Sequence, residues 1–142
     1  MAEKDEPALA FEPYNVAAAE FVRHRLAMHN VAATGRSDYH PVRLFLRDRY
    51  GEIVGGLLGS IWADWLFVSD LWVDEAARGQ RQATRLMDAA ESYARQRGCH
   101  SVSLDTHSFQ ARPFYEKRGY QPFAVLEDYP KGHRKFFLMK KL

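Results

Sequence analysis

The sequence predicts a mixed α/β fold: a mostly antiparallel sheet with one parallel strand pair in its middle and helices flanking it. Three observations support this. Residues 42–47, 52–62 and 65–73 are strand-like runs separated only by short turns, the pattern of an antiparallel meander. Residues 65–73, the helical stretch that follows and residues 101–106 form a strand–helix–strand unit, which favours a parallel pair with a right-handed crossover. Residues 120–125 and 134–140 read as two closing strands joined by an acidic loop with glycine and proline. At 142 residues and 46% hydrophobic content the chain suits one core. No repeat, low-complexity tract or linker divides it, so a single domain over residues 1–142 is expected.

Taken in order, residues 9–12 suggest a short strand ended by Pro13. Asn15 is placed to cap a helix running to about Asn30, with Ala18, Phe21, Val22 and Leu26 on its buried face. Residues 31–41, rich in Gly, Ser, Asp and Pro, read as a loop. Val42, Leu44 and Leu46 then alternate with Arg43, Phe45 and Arg47, a strand with one wet face. A turn follows at Asp48, Arg49, Tyr50 and Gly51. The next strand contains Gly55, Gly56 and Gly59, which mark a bulge or a close backbone approach. They are not a nucleotide loop, since no Gly-Lys-Ser/Thr ending follows. Ala63 and Asp64 make a tight turn into residues 65–73.

The chain is organised around residues 69–98. An apolar strand (Asp70, Leu71, Trp72, Val73) passes through a short acidic turn into a loop of Arg78, Gly79, Gln80, Arg81, Gln82 and Ala83, and then into a long helix. Ala83, Leu86, Met87, Ala90 and Ala94 share one helical face. Glu91 stands four residues before Arg95, the favourable order for an exposed pair, and Gly98 suits the position just past the helix. A strand handing over to a helix in this way aims free backbone N–H groups at one spot, an anion site suited to phosphate.

The composition excludes several classes. The net charge of +2 is spread over alternating acids and bases, without the basic stripe of a nucleic-acid binder. No run approaches the roughly 18 apolar residues of a membrane span, and the acidic, mixed start of the chain does not read as a secretory signal. The single Cys99 cannot form an internal disulfide, which suits a reducing cytoplasm, and it reads as a packing residue. The six histidines stand apart from cysteine or carboxylate at ligand spacing, so no metal is expected.

Two motifs carry a resemblance. The loop from Arg78 to Ala83 resembles the acyl-CoA signature Gln/Arg-x-x-Gly-x-Gly/Ala of the GNAT N-acetyltransferase family. Arg78 fills its first position and Ala83 its last, and Arg81 stands where the family usually has the central glycine. Phe114, Tyr115, Glu116, Lys117, Arg118, Gly119 and Tyr120 resemble the family's Phe-Tyr-x-x-x-Gly-Phe/Tyr stretch, with Ser108 a possible cap and Pro113 tolerable near the start of its short helix. The resemblance covers nearly the whole chain and implies the family's fold, in which the parallel pair splays apart. It also implies acetyl-CoA as co-substrate, with its pantetheine arm in that wedge.

Carried over by position, Leu71, Trp72 and Val73 would supply backbone to the pantetheine and a donor to the thioester oxygen. Arg78, Gly79, Gln80, Arg81, Gln82, Ala83 and Thr84 would wrap the pyrophosphate, and Gln110 stands where many relatives place a cofactor-contacting asparagine. Tyr115 is the candidate general acid for the departing sulfur; its alternative is a core aromatic. Asp70 is the first candidate base and His107 the second, while Asp70 could equally cap backbone or bind the acceptor's charge. Asp38, Tyr39 and His40 are candidates for acceptor contact. The implied reaction moves acetyl from acetyl-CoA to a primary amine, on a small molecule or a protein, by direct attack in a ternary complex. The alternatives are a CoA-binding sensor without transferase activity, kept open by Arg81, and an unrelated α/β binding domain. The apolar run Phe136, Phe137, Leu138, Met139 suggests either a homodimer contact or a core strand.

Overall fold

The structure, a computed structural model, describes residues 5–142. The chain divides into two compact units, one ending at Ser37 and the other spanning Asp38–Leu142. The first unit holds α1 (Val16–Thr34), whose cap is as the sequence predicts: Ala18 N–H donates to Asn15 Oδ1 at 2.9 Å. The helix continues four residues past Asn30, to Thr34, and stops at Gly35 in the left-handed conformation with φ 71°. No residue of α1 is buried; the expected inner face of Phe21, Val22 and Leu26 is exposed. Residues 9–12 carry no strand.

The second unit is a six-stranded sheet with helices. Its elements are β1 (His40–Arg47), β2 (Ile53–Trp62), β3 (Trp65–Val73), a 3-10 turn (Glu75–Ala77), α2 (Gln82–Gln96), β4 (Ser101–His107), α3 (Arg112–Lys117), β5 (Gln121–Glu127) and β6 (Arg134–Lys141). The strand order is β1-β2-β3-β4-β6-β5. Only β3 and β4 run parallel, as the strand–helix–strand reading requires. The β2–β3 hairpin closes on Ala63 and Asp64, both at positive φ (52° and 68°), the conformation that matches strand twist in a two-residue turn. The run from Phe136 to Met139 is a core strand: β6 lies between β4 and β5, and Phe136 and Leu138 are buried.

Alternation sorts the strand residues onto two faces. Val42, Leu57, Ile61, Leu66, Val68, Val102, Leu104, Phe136 and Leu138 face inward and form the core with Leu86, Met87, Ala90 and Ala94 of α2. Within β3 the alternation breaks at a place that matters for function. In the β2–β3 ladder Leu58 is opposite Asp70 while Gly59 is opposite Val68, so Ser69 is an extra residue, a β-bulge. Its Oγ donates to the Leu58 carbonyl at 3.1 Å. The bulge shifts the phase by one residue, so Leu71 and Val73 return to the core side while Asp70 and Trp72 take the opposite face. Gly59 permits it: a Cβ there would stand 2.3 Å from the Phe67 carbonyl oxygen.

Glu91 corrects the expected surface pair with Arg95. It is buried on α2, where its carboxylate accepts from Lys140 Nζ at 2.6 Å, from the Tyr120 hydroxyl at 3.2 Å and from Arg118 Nη2. Arg118 also reaches Asp88 at 2.8 Å. Two carboxylates and two cations thus balance across α2, the end of α3 and β6. Burial and the Glu91 charge both push the Tyr120 phenol well above its ordinary range, so it remains a donor.

Two substitutions test this packing by chemical denaturation. Gly59→Ala is expected to cost at least about 2 kcal/mol, because the contact is with backbone and cannot be relieved by a rotamer change. Glu91→Ala strands Lys140, leaves Arg118 with the exposed Asp88 alone, and is expected to cost about 3 kcal/mol. A loss under about 1 kcal/mol in either would contradict the corresponding contact.

Candidate active site

β3 and β4 are paired only from Trp65↔Ser101 to Val68↔Leu104. Beyond the bulge both strands continue, β3 held by β2 as far as Val73 and β4 held by β6 as far as His107. The two inner edges therefore part, leaving unpaired backbone along residues 69–73 facing a gap. A cavity of about 820 Å³ fills this wedge. Ser69, Asp70, Leu71, Trp72 and Val73 line one side; Asp105, Thr106 and His107 line the other. Arg78 and Ala83, from the loop and the start of α2, Phe109, Gln110 and Ala111 after β4, and Phe114 and Tyr115 of α3 complete it.

The loop into α2 is shaped by two left-handed residues, Gly79 (φ 75°) and Arg81 (φ 62°, ψ 24°). Arg81 thus adopts the conformation that glycine takes without strain. It offers no side-chain cap, and the first helical bond runs from Arg85 N–H to the Arg81 carbonyl at 3.0 Å. The N–H groups of Gln82, Ala83 and Thr84 lie in the first turn, ahead of any intrahelical partner, and that turn carries no acidic residue. Arg78 folds back so that Nε donates to the Val73 carbonyl at 3.0 Å, clipping the loop to the end of β3. Of the predicted loop residues, Arg78 and Ala83 line the cavity. Gly79, Gln80, Arg81, Gln82 and Thr84 build the turn beside it.

Tyr115 is buried, with edge-on contacts to Phe114 (5.2 Å) and Tyr120 (5.8 Å), yet it also lines the wedge. It is both a core aromatic and a cavity residue. Burial, with a smaller effect from the Asp105 carboxylate, pushes its phenol up to about 12. Asp70 is exposed at the bulge, on the face away from α2. Gln110 lines the cavity with its carbonyl end committed: Oε1 accepts from His107 N–H at 2.7 Å and lies 3.1 Å from His107 Nδ1. The His107 ring is stacked between Phe109 (5.1 Å) and Tyr129 (5.4 Å).

Other expectations are corrected. Ser108 does not cap α3, whose cap position is Ala111; its Oγ instead accepts from Arg134 N–H at 3.1 Å and meets His133. Asp38, Tyr39 and His40 do not line this cavity, and His40 is bonded through Nε2 to the Tyr93 hydroxyl. Sequence reasoning missed Asp105, whose one visible signal is its polar character at the outward phase of an otherwise buried strand. It also missed Lys135, which reaches Asp105 across the β4–β6 ladder.

A sequence model of the Acetyltransferase (GNAT) family matches residues 9–120. The chain is 43% identical over 93 residues to a blasticidin-S acetyltransferase of Streptomyces morookaense, covering 65% of this chain and 68% of that one. It is 34% identical over 124 residues to the acetyltransferase Atu2258 of Agrobacterium fabrum, covering 87% and 90%. A crystal structure of an Agrobacterium tumefaciens protein described as an acetyltransferase superposes with a TM-score of 0.89 at 31% identity, covering 96% of this chain and all of that one.

The left-handed Arg81 gives a direct test. Arg81→Gly removes a strain of about 1 kcal/mol, offset by the entropy of a glycine. The variant is therefore expected to melt within a few degrees of the parent, whereas Arg81→Val, β-branched at positive φ, is expected to melt clearly lower. Equal melting temperatures for the two variants would contradict the assigned conformation.

Proposed function

This chain belongs to the GNAT acetyltransferase family, whose members use acetyl-CoA as co-substrate, and we propose that it acetylates the primary amine of a small molecule by direct attack within the β3–β4 wedge. One observation carries the reading. The wedge exposes a strand edge with no strand partner, and its volume lies within the 300–1,000 Å³ of ordinary ligand sites. An amide-bearing chain can pair with that edge as an added strand does. The similarity to a blasticidin-S acetyltransferase supports a small-molecule acceptor over a protein one.

The residues present fit acetyl-CoA. Backbone N–H groups of Leu71, Trp72 and Val73 are on the strand that borders the gap, where a donor is available to the thioester oxygen as charge develops. The open first-turn N–H groups of α2, the left-handed pair Gly79 and Arg81, and the Arg78 guanidinium make a cationic end suited to a pyrophosphate. Arg81 keeps its backbone donor and adds a charge to that end. Gln110 retains its amide NH2 for the cofactor. Acetyl-CoA, when bound, supplies an acyl group on a thiol leaving group.

The protein's own part is proton handling and orientation. Asp70, exposed at the bulge, accepts a proton from the acceptor ammonium directly or through water, which frees the lone pair that forms the C–N bond as the C–S bond breaks. Tyr115 holds its proton throughout the neutral range and hands it to the departing sulfur. The ammonium gives up two protons overall: one ends on the thiol and one in solvent. No acyl-enzyme is needed. Cys99, the only cysteine, is buried outside the cavity lining, and burial raises its thiol.

The test is calorimetric titration with acetyl-CoA, followed by an assay of thiol release on adding amines. Binding at micromolar concentration and amine-dependent release are expected; binding without release from any amine would favour a sensor. Tyr115→Phe is expected to bind acetyl-CoA but lose about 10²–10⁴ in kcat. Because the phenol is raised to about 12, the wild-type rate should show no loss from Tyr115 ionisation up to about pH 11. An unchanged kcat in the variant would remove Tyr115 from the mechanism.

A further inference from the structure

The wedge holds two carboxylates on the same sheet face, one on each parting strand. Asp105 follows the last paired residue of β4 directly, and Asp70 follows that of β3 by two, the bulge residue lying between. Paired strands lie about 4.8 Å apart, and past Val68 and Leu104 these two are no longer paired. The backbones that carry the two carboxylates therefore stand at least about one strand spacing apart, a gap that a short aliphatic spine with a cation at each end can span.

The corner beside Asp105 already hosts an ammonium. Lys135 Nζ lies 3.7 Å from Asp105 Oδ1, 4.8 Å from the Tyr129 ring centre and 5.4 Å from that of Phe137. It is a tethered cation in a frame of one carboxylate and two aromatic faces. The contact exceeds the 2.7–2.9 Å typical of a charge-assisted hydrogen bond. Asp105, with about four lone-pair positions, therefore keeps accepting capacity on the side that lines the cavity. Trp72, 51% exposed, and Phe109, 55% exposed, add ring surface to the same cavity. The one guanidinium in the lining, Arg78, is tied back to Val73.

We propose that the acceptor is a small amine carrying a second fixed positive charge, a diamine or an amino-guanidine. Its reacting nitrogen lies beside Asp70 and its distal cation beside Asp105, with the Trp72 and Phe109 rings adding apolar surface to the same cavity. The proposal rests on the wedge being the acetyl-transfer site. Asp105 is then a specificity-determining residue, and Lys135 competes with the distal cation for it.

The experiment is steady-state kinetics at saturating acetyl-CoA with butylamine, putrescine and agmatine, which share a spine and differ only at the far end. The wild type is expected to favour putrescine and agmatine over butylamine by tenfold or more in kcat/KM. Asp105→Asn should reduce that preference at least fivefold, chiefly through KM. Lys135→Gln should act in the opposite direction and lower KM for the two dications, a change that general damage to the fold would not produce. Equal kcat/KM for the three amines, or a preference untouched by Asp105→Asn, would overturn the proposal. So would acetyl-CoA binding with no thiol release from any of them. Absence of acetyl-CoA binding would instead remove the acetyl-transfer reading, and this proposal with it.

Discussion

A single extra residue, Ser69, separates a sealed sheet from one with a usable opening. Upstream of it β3 and β4 are ordinary parallel neighbours; downstream each is held by its other partner and the two diverge. The bulge has a steric condition at Gly59, where any Cβ would meet the Phe67 carbonyl. It also has a consequence for phase. Leu71 and Val73 remain core residues, while Asp70 and Trp72 are delivered to the opposite face. The apolar residues and the carboxylate that β3 presents to the wedge therefore take their places from one backbone irregularity.

The position of Tyr115 depends on a second constraint. α3 has only six residues, and no side chain caps its N-terminus, so its placement must come from tertiary contacts. Arg118, at its C-terminal end, is gripped by Glu91 and Asp88 of α2, and Tyr120 bonds Glu91 from the next turn of chain. Burying the Glu91 carboxylate is costly in isolation; here it faces two cations, Arg118 and Lys140, and its removal would leave their charges less compensated. The helix that begins at the Gly79 and Arg81 loop thereby also fixes the helix that carries the phenol.

Much of this was legible in the sequence because it is local. Alternation in residues 42–47, the Ala63 and Asp64 turn, the Asn15 cap and the periodic face of α2 each depend on neighbours within a few positions. Glycines in β2 announced a close approach, and the structure assigns that role to Gly59 at the bulge. The non-local features were not legible. Glu91 and Arg95 have the spacing of a surface pair, and only the packing of β6 and α3 shows that Glu91 faces inward. Ser108 resembles a helix cap in sequence but is drawn to the β6 backbone. Asp105 and Lys135 are thirty residues apart in the chain, and their proximity follows from the His107↔Lys135 register.

The most direct measurement of the central claim is backbone amide hydrogen exchange on the full chain, with and without acetyl-CoA. If the edge of β3 past Ser69 is the strand on which the pantetheine pairs, amides within residues 69–73 should slow markedly on binding. Those of residues 65–68, already in the β2–β3–β4 ladder, should change little. Protection at the α2 N-terminus with no change in residues 69–73 would contradict the account, because the cofactor would then be held by its phosphates alone and the opening made by the bulge would have no part in binding it.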